Sequence, residues 1–153
     1  MNKKIIIGVL VAVIIILIGT FAVFMGMTSN TTSNVGATKT TIELYNDEKK
    51  SVDSIINTIE DPNYRDKDKL NNETVNWLKS LDDSYVVLEV INGLDGYVVM
   101  KRDEANKIPP DNDTSIMTVI VIKGFVKETH NLGAGLSDYT LIENVEFVNR
   151  RAL

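Results

Sequence analysis

No cysteine occurs in this chain, and that one absence removes several chemistries together. Disulfide staples, thiol nucleophiles, iron–sulfur clusters, cysteine-rich zinc sites and a lipid anchor on an N-terminal cysteine are all excluded. Any domain the chain builds must be held by its core alone. Histidine is almost missing too, His130 being the only one. It stands in Thr129-His130-Asn131-Leu132-Gly133-Ala134-Gly135, which reads as a loop between two strands. His130 is therefore expected to be an exposed turn residue rather than a general base. No G-x-S-x-G elbow supplies a serine nucleophile. Gly133-Ala134-Gly135 lacks the third glycine and the following helix of a dinucleotide fingerprint, and reads as turn chemistry.

Positive charge is also scarce: 16 Lys and Arg stand against 21 Asp and Glu. Two of those lysines, Lys3 and Lys4, lie at the N-terminus. Setting them aside leaves 14 basic residues against 21 acidic, a net charge near −7 for the remainder. That sign argues against nucleic acid or anionic lipid headgroups as partners, because phosphate binding needs a basic footprint. The basic pair Arg150-Arg151 is expected to be part of a solvated tail over residues 150–153.

What the chain does have is one long uncharged run, Ile5 to Met27, whose only side-chain hydroxyl is at Thr20. As a helix it would span roughly 34 Å, against about 30 Å of bilayer hydrocarbon. Its many Ile and Val residues are poor helix formers in water, but in lipid the backbone must satisfy its own hydrogen bonds. Residues 1–4 then form a cytoplasmic start, since Lys3 and Lys4 orient the anchor by the positive-inside rule. A cleaved secretory signal is the competing reading. It wants a core of about 7 to 15 residues followed by small residues, whereas this run is longer and carries Phe21, Phe24, Met25 and Met27 near its end. An uncleaved anchor is the reading preferred here, with the lipid bilayer as its partner.

Residues 28–38 (TSNTTSNVGAT) offer almost nothing to bury and read as a flexible stalk. Residues 39–149 are expected to form one α+β domain. Its first strand falls at about Thr40 to Tyr45. A helix follows, capped by Asn46 or Asp47, with an apolar stripe of Val52, Ile55, Ile56 and Ile59 and a stop at Asp61-Pro62. A second helix, capped by Asn71 or Asn72, buries Val75, Trp77 or Leu78, and Leu81. Tyr85 to Ile91 and Tyr97 to Arg102 form a hairpin across Asn92-Gly93-Leu94-Asp95-Gly96. Ile116 to Val126 is apolar on both faces, as a doubly covered strand should be. In Tyr139 to Val148, residues Tyr139, Leu141, Val145 and Phe147 share one parity. The spacing thus predicts about five strands in a mainly antiparallel sheet with a two-helix layer on one face.

The Lys-Lys start, the Ile-rich anchor, the Thr/Ser/Asn stalk and the acidic cysteine-free α+β domain together resemble small single-pass surface proteins of methanogenic archaea. The resemblance implies a surface location and N-glycosylation, and carries over no functional residue. Asn30, Asn72 and Asn112 each begin an N-x-S/T sequence and are candidate acceptors. Calcium is the one metal worth testing. Asp61 and Asn63 match positions 1 and 3 of an EF-hand loop, but Arg65 and Asp66 break positions 5 and 6. Asp111-Asn112-Asp113 would need Asp82-Asp83 nearby. The expectation is therefore no metal, no cofactor and no catalytic residue. The leading functional expectation is a non-enzymatic extracytoplasmic module binding protein or glycan. The runner-up is a subunit or assembly factor of a membrane complex, with a hydrolase third.

Overall fold

A computed structural model describes residues 38–112 and 116–153 of the chain. The expected anchor and cytoplasmic start, all of the stalk but its last residue, and Asn30 lie outside these residues. Among the described residues no helix is long and apolar enough to cross a membrane.

The elements follow the order strand–helix–helix–sheet. They are β1 (Thr40–Leu44), β2 (Lys50–Ser51), α1 (Val52–Glu60), α2 (Asn72–Ser80), β3 (Tyr85–Asn92), β4 (Tyr97–Lys101), α3 (Arg102–Ala105), β5 (Thr118–Asn131) and β6 (Asp138–Ala152). A single 3₁₀ turn, Lys67–Lys69, lies between α1 and α2. The expected β3–β4 hairpin is present, with Val90 N–H donating to Gly96 across its turn. Gly93 is required in that turn. Its φ is +99°, and a Cβ there would stand 2.3 Å from the Thr41 carbonyl oxygen.

The sheet does not stay open. β1 pairs with β5 along its whole length and with β3 at its end, so the order β1-β5-β6-β4-β3 returns to β1. The result is a five-stranded closed barrel of Greek-key type, with one parallel contact, β4 with β6. Closure removes the open edges that an antiparallel sheet would have to protect. β2 sits on the edge of β3 that β1 leaves free: Lys50 and Ser51 pair with Val87 and Val86, while Glu43 and Leu44 pair with Asn92 and Val90. The chain steps off that edge at Asn46, whose side chain accepts from Glu48 N–H in a tight local turn. The first helix is therefore capped by Ser51, not by Asn46 or Asp47; the Ser51 hydroxyl accepts from Ser54 N–H at 3.1 Å. Asn71 caps α2 as expected.

Two apolar layers result from alternation along β3, β4 and the first residues of β6. Ile42, Leu44, Val86, Leu88, Val98, Met100, Ile120, Ile122 and Ile142 fill the barrel, with Ala105 and Ile108 closing one end. Tyr85, Val87, Tyr97, Val99, Tyr139 and Leu141 point outward and are covered by Val52, Ile55 and Ile59 of α1 and by Val75 and Leu78 of α2. The two-helix layer on one face is thus as the spacing predicts.

Three further expectations are corrected. β5 continues to Asn131, so His130 lies in a strand and not in the loop. The single parity expected for Tyr139 to Phe147 is broken. Lys123 opposes Glu146 while Phe125 opposes Glu143, so β6 carries an extra residue opposite Gly124. Asn144 takes up that bulge at φ 53°, a conformation asparagine tolerates better than most residues. Tyr139 and Leu141 consequently face the helices, whereas Val145 and Phe147 pack with the barrel interior. Finally, β6 runs to Ala152, and Arg150-Arg151 is no loose tail. Arg151 pairs with Glu43 at 3.0 Å, and Arg150 donates to the Pro109 carbonyl at 2.8 Å with Asp111 and Asp47 close by.

Candidate functional site

The β5–β6 hairpin tip, Leu132 to Ser137, is fixed from below by the start of α2. Asn71 N–H donates to the Leu132 carbonyl at 2.7 Å, the Thr74 hydroxyl to the Asn131 carbonyl at 2.6 Å, and Leu70 bridges to Gly133. Only glycine fits at 133, since a Cβ would meet the Lys69 carbonyl oxygen at 2.0 Å. The tip is closed internally by Leu132 N–H to Ser137 and Leu136 N–H to Gly133. It therefore stands as a rigid wall facing α1.

Between that wall and α1 lies a groove of about 460 Å³, within the range of ligand pockets. Its floor is the pair of opposed residues Tyr97 and Tyr139, whose rings stack at 5.1 Å and 19°. Ile55 and Ile59 of α1 and Leu132 and Leu136 of the tip give it apolar sides. Tyr64, Lys50, Ser54, Thr58 and Ser137 add polar groups. Among the described residues none of the hydroxyls of Tyr64, Tyr97 and Tyr139 has a hydrogen-bond partner, and Lys50 makes no ion pair. Tyr139 is only 3% exposed. Burial first, and then the neighbouring phenols Tyr97 and Tyr64, push its ionisation far above the usual tyrosine range. Its hydroxyl is thus a neutral donor at any physiological pH. No carboxylate lines this groove.

A larger depression of about 740 Å³ shares Ser54, Thr58 and Tyr64 with it. All of its lining comes from residues 51 to 65, one helix and the turn after it, so nothing walls it from the far side. It is an open polar surface, and the walled groove is the better site.

His130 is held elsewhere. Its ring stacks on Trp77 at 4.1 Å and 20°, and its Nε2 lies 3.2 Å from Glu128 Oε2 in a poorly aligned contact. Glu128 also accepts from the Trp77 indole N–H at 3.1 Å. The carboxylates that invited a metal or acid–base reading are engaged or scattered. Asp61 accepts from Asn63 N–H, Asp66 pairs with Lys69, Asp82 accepts from Ser84, and Asp111 accepts from Thr118 beside Arg150. Among the described residues no three His, Cys, Asp or Glu side chains converge. Glu104 is partly desolvated, which pushes its carboxyl up. Lys107 and the Val145 N–H outweigh that and hold it below the usual glutamate range. It thereby ties α3 to the bulge of β6.

The sequons separate by environment. Asn72 is exposed at the first turn of α2, but Thr74 of the same sequon is 1% exposed and its hydroxyl is committed to Asn131. Asn112 is exposed, and the rest of its sequon falls outside the described residues. None of the three groove tyrosines was marked by the sequence. Tyr97 and Tyr139 read only as strand starts, and their convergence depends on the parallel β4–β6 register.

No family model, no curated protein and no solved structure matches this chain.

Proposed function

We propose that the chain is a single-pass membrane protein whose Ile5–Met27 anchor displays residues 39–153 outside the membrane as a non-enzymatic binding domain. One observation carries the binding reading: a walled groove presents three phenol hydroxyls and one ammonium group that have no partner among the described residues. None of the three hydroxyls is sealed from solvent, so each opens to water and is available to a ligand that displaces it. The reading is supported as non-enzymatic by where the titratable groups sit. The only imidazole is packed on Trp77 and Glu128, and the groove lining has no carboxylate to serve as acid, base or nucleophile. Tethering raises the effective concentration of such a domain near the surface, so that weak intrinsic affinity suffices.

Affinity capture with the full chain, and with a chain beginning at Thr38, tests this. Extracytoplasmic partners retained by both forms, and lost on Tyr97→Ala, are expected. Partners held only by the form with the anchor would make the chain a subunit of a membrane complex instead.

A further inference from the structure

We propose that the groove between α1 and the β5–β6 hairpin tip is a saccharide site, taking one or two sugar rings of an extracytoplasmic glycan. The inference rests on the binding-domain reading and specifies its ligand. The lining has the three features a sugar ring requires. The half-buried rings of Tyr64 and Tyr97 line the groove with aromatic surface for the C–H face of a pyranose, while the buried Tyr139 ring stacks on Tyr97 and adds its hydroxyl. Their hydroxyls, with those of Ser54 and Ser137, supply donors and acceptors that nothing in the described protein uses. Lys50 adds one mobile donor at the margin, suited to a ring oxygen, a hydroxyl or a uronic carboxylate.

The alternatives fit less well. An extended peptide would pair with a free strand edge, but the floor strands β4 and β6 are hydrogen-bonded to each other at Tyr97 and Tyr139. The main chain there is used up, and only side chains face a ligand. A polyanion such as nucleic acid would need several cations, and Lys50 is the only one in the lining. A purely apolar ligand would strand the phenol hydroxyls away from water.

The walls are preorganised. The hairpin tip is pinned to α2 by Asn71, Thr74 and Leu70, and α1 is packed onto the barrel through Val52, Ile55 and Ile59. Binding should therefore order little of the protein, which keeps the entropic cost of holding a small ligand low.

The test uses the full chain purified in detergent, with tyrosine rings labelled for NMR. It is titrated against a panel of neutral, N-acetylated and uronic oligosaccharides of three to six sugars. A hexaglutamate and a mixed hexapeptide serve as peptide controls. At least one saccharide class is expected to bind saturably below millimolar concentration, shifting ring signals of Tyr64, Tyr97 and Tyr139. Tyr97→Ala should weaken that binding at least tenfold, and Tyr97→Phe, which keeps the ring, by less. Lys50→Met should weaken uronic ligands more than neutral ones. Thermal melting of each variant separates lost binding from lost fold. No binding by any saccharide, binding unchanged in a folded Tyr97→Ala or Tyr97→Phe, or tighter binding of the peptides would each overturn the proposal. If protein partners were still captured in a Tyr97-dependent way, only the saccharide ligand would fall and the binding-domain reading would stand.

Discussion

Tyr139 is the residue on which fold and site most nearly coincide. It is nearly buried, stacks on Tyr97, and its phenol is harder to ionise in the folded domain than in the unfolded chain. An acid whose folded pKa is raised contributes stability that is complete below its unfolded value, about 10, and is lost as pH climbs above it. Stability measured by urea unfolding should therefore be flat through neutral pH and fall above about pH 10. Tyr139→Phe should remove most of that alkaline fall. An unchanged alkaline slope in Tyr139→Phe would mean that its hydroxyl is not the buried acid described here. At the same scale the Asn72 sequon should be a poor acceptor once the domain has folded. The transferase must reach the whole tripeptide, and in the folded domain Thr74 is locked on the buried face of α2. Glycopeptide mapping should find Asn72 bare if transfer follows folding. Full occupancy of Asn72 would show that the modification precedes docking of α2.

At the scale of elements, α1 shows how the apolar stripe is used. Ile55 and Ile59 are 9% and 3% exposed, whereas Ile56 is only half-buried at the edge of the outer layer. Ile59→Asp would bury a carboxylate in the apolar layer between the helices and the barrel and should cost more than about 3 kcal/mol, a large share of a stability of about 5–15 kcal/mol. Ile56→Asp should cost clearly less, since its charge can reach water. Equal losses in chemical denaturation would contradict this placement of the helix. The stripe, the stop of α1 at Asp61-Pro62, the Asn71 cap of α2 and the β3–β4 hairpin were legible because each rests on neighbours within about a dozen residues. Closure of the barrel was not, because it depends on β1 meeting β5 some 80 residues away and on β3 leaving one edge half free. The groove was illegible for the same reason. Its floor is a parallel pairing of β4 with β6, and its far wall is a hairpin tip whose place is set by contacts to Asn71 and Thr74. His130 was misplaced because its polar neighbours Thr129 and Asn131 read as loop. In the structure they continue a strand, with the Thr129 hydroxyl against that of Thr140 and Asn131 bonded to Asp138. The parity change at Asn144 was likewise hidden, since a bulge leaves no periodic signal.

At the scale of the molecule, the account joins a domain with its own closed core to an anchor that only the sequence supports. The domain has two filled apolar layers and no cysteine to staple them. The proposal that it stands outside the membrane rests on Lys3, Lys4 and the run from Ile5 to Met27. Protease added to intact cells, followed by mass analysis of the released material, tests that placement most directly. The account predicts a soluble fragment containing Thr40 to Ala152, cut within residues 28–38 and resistant to further digestion, with a short stub left in the membrane. Full-length chain surviving in intact cells and digested only after lysis would contradict it.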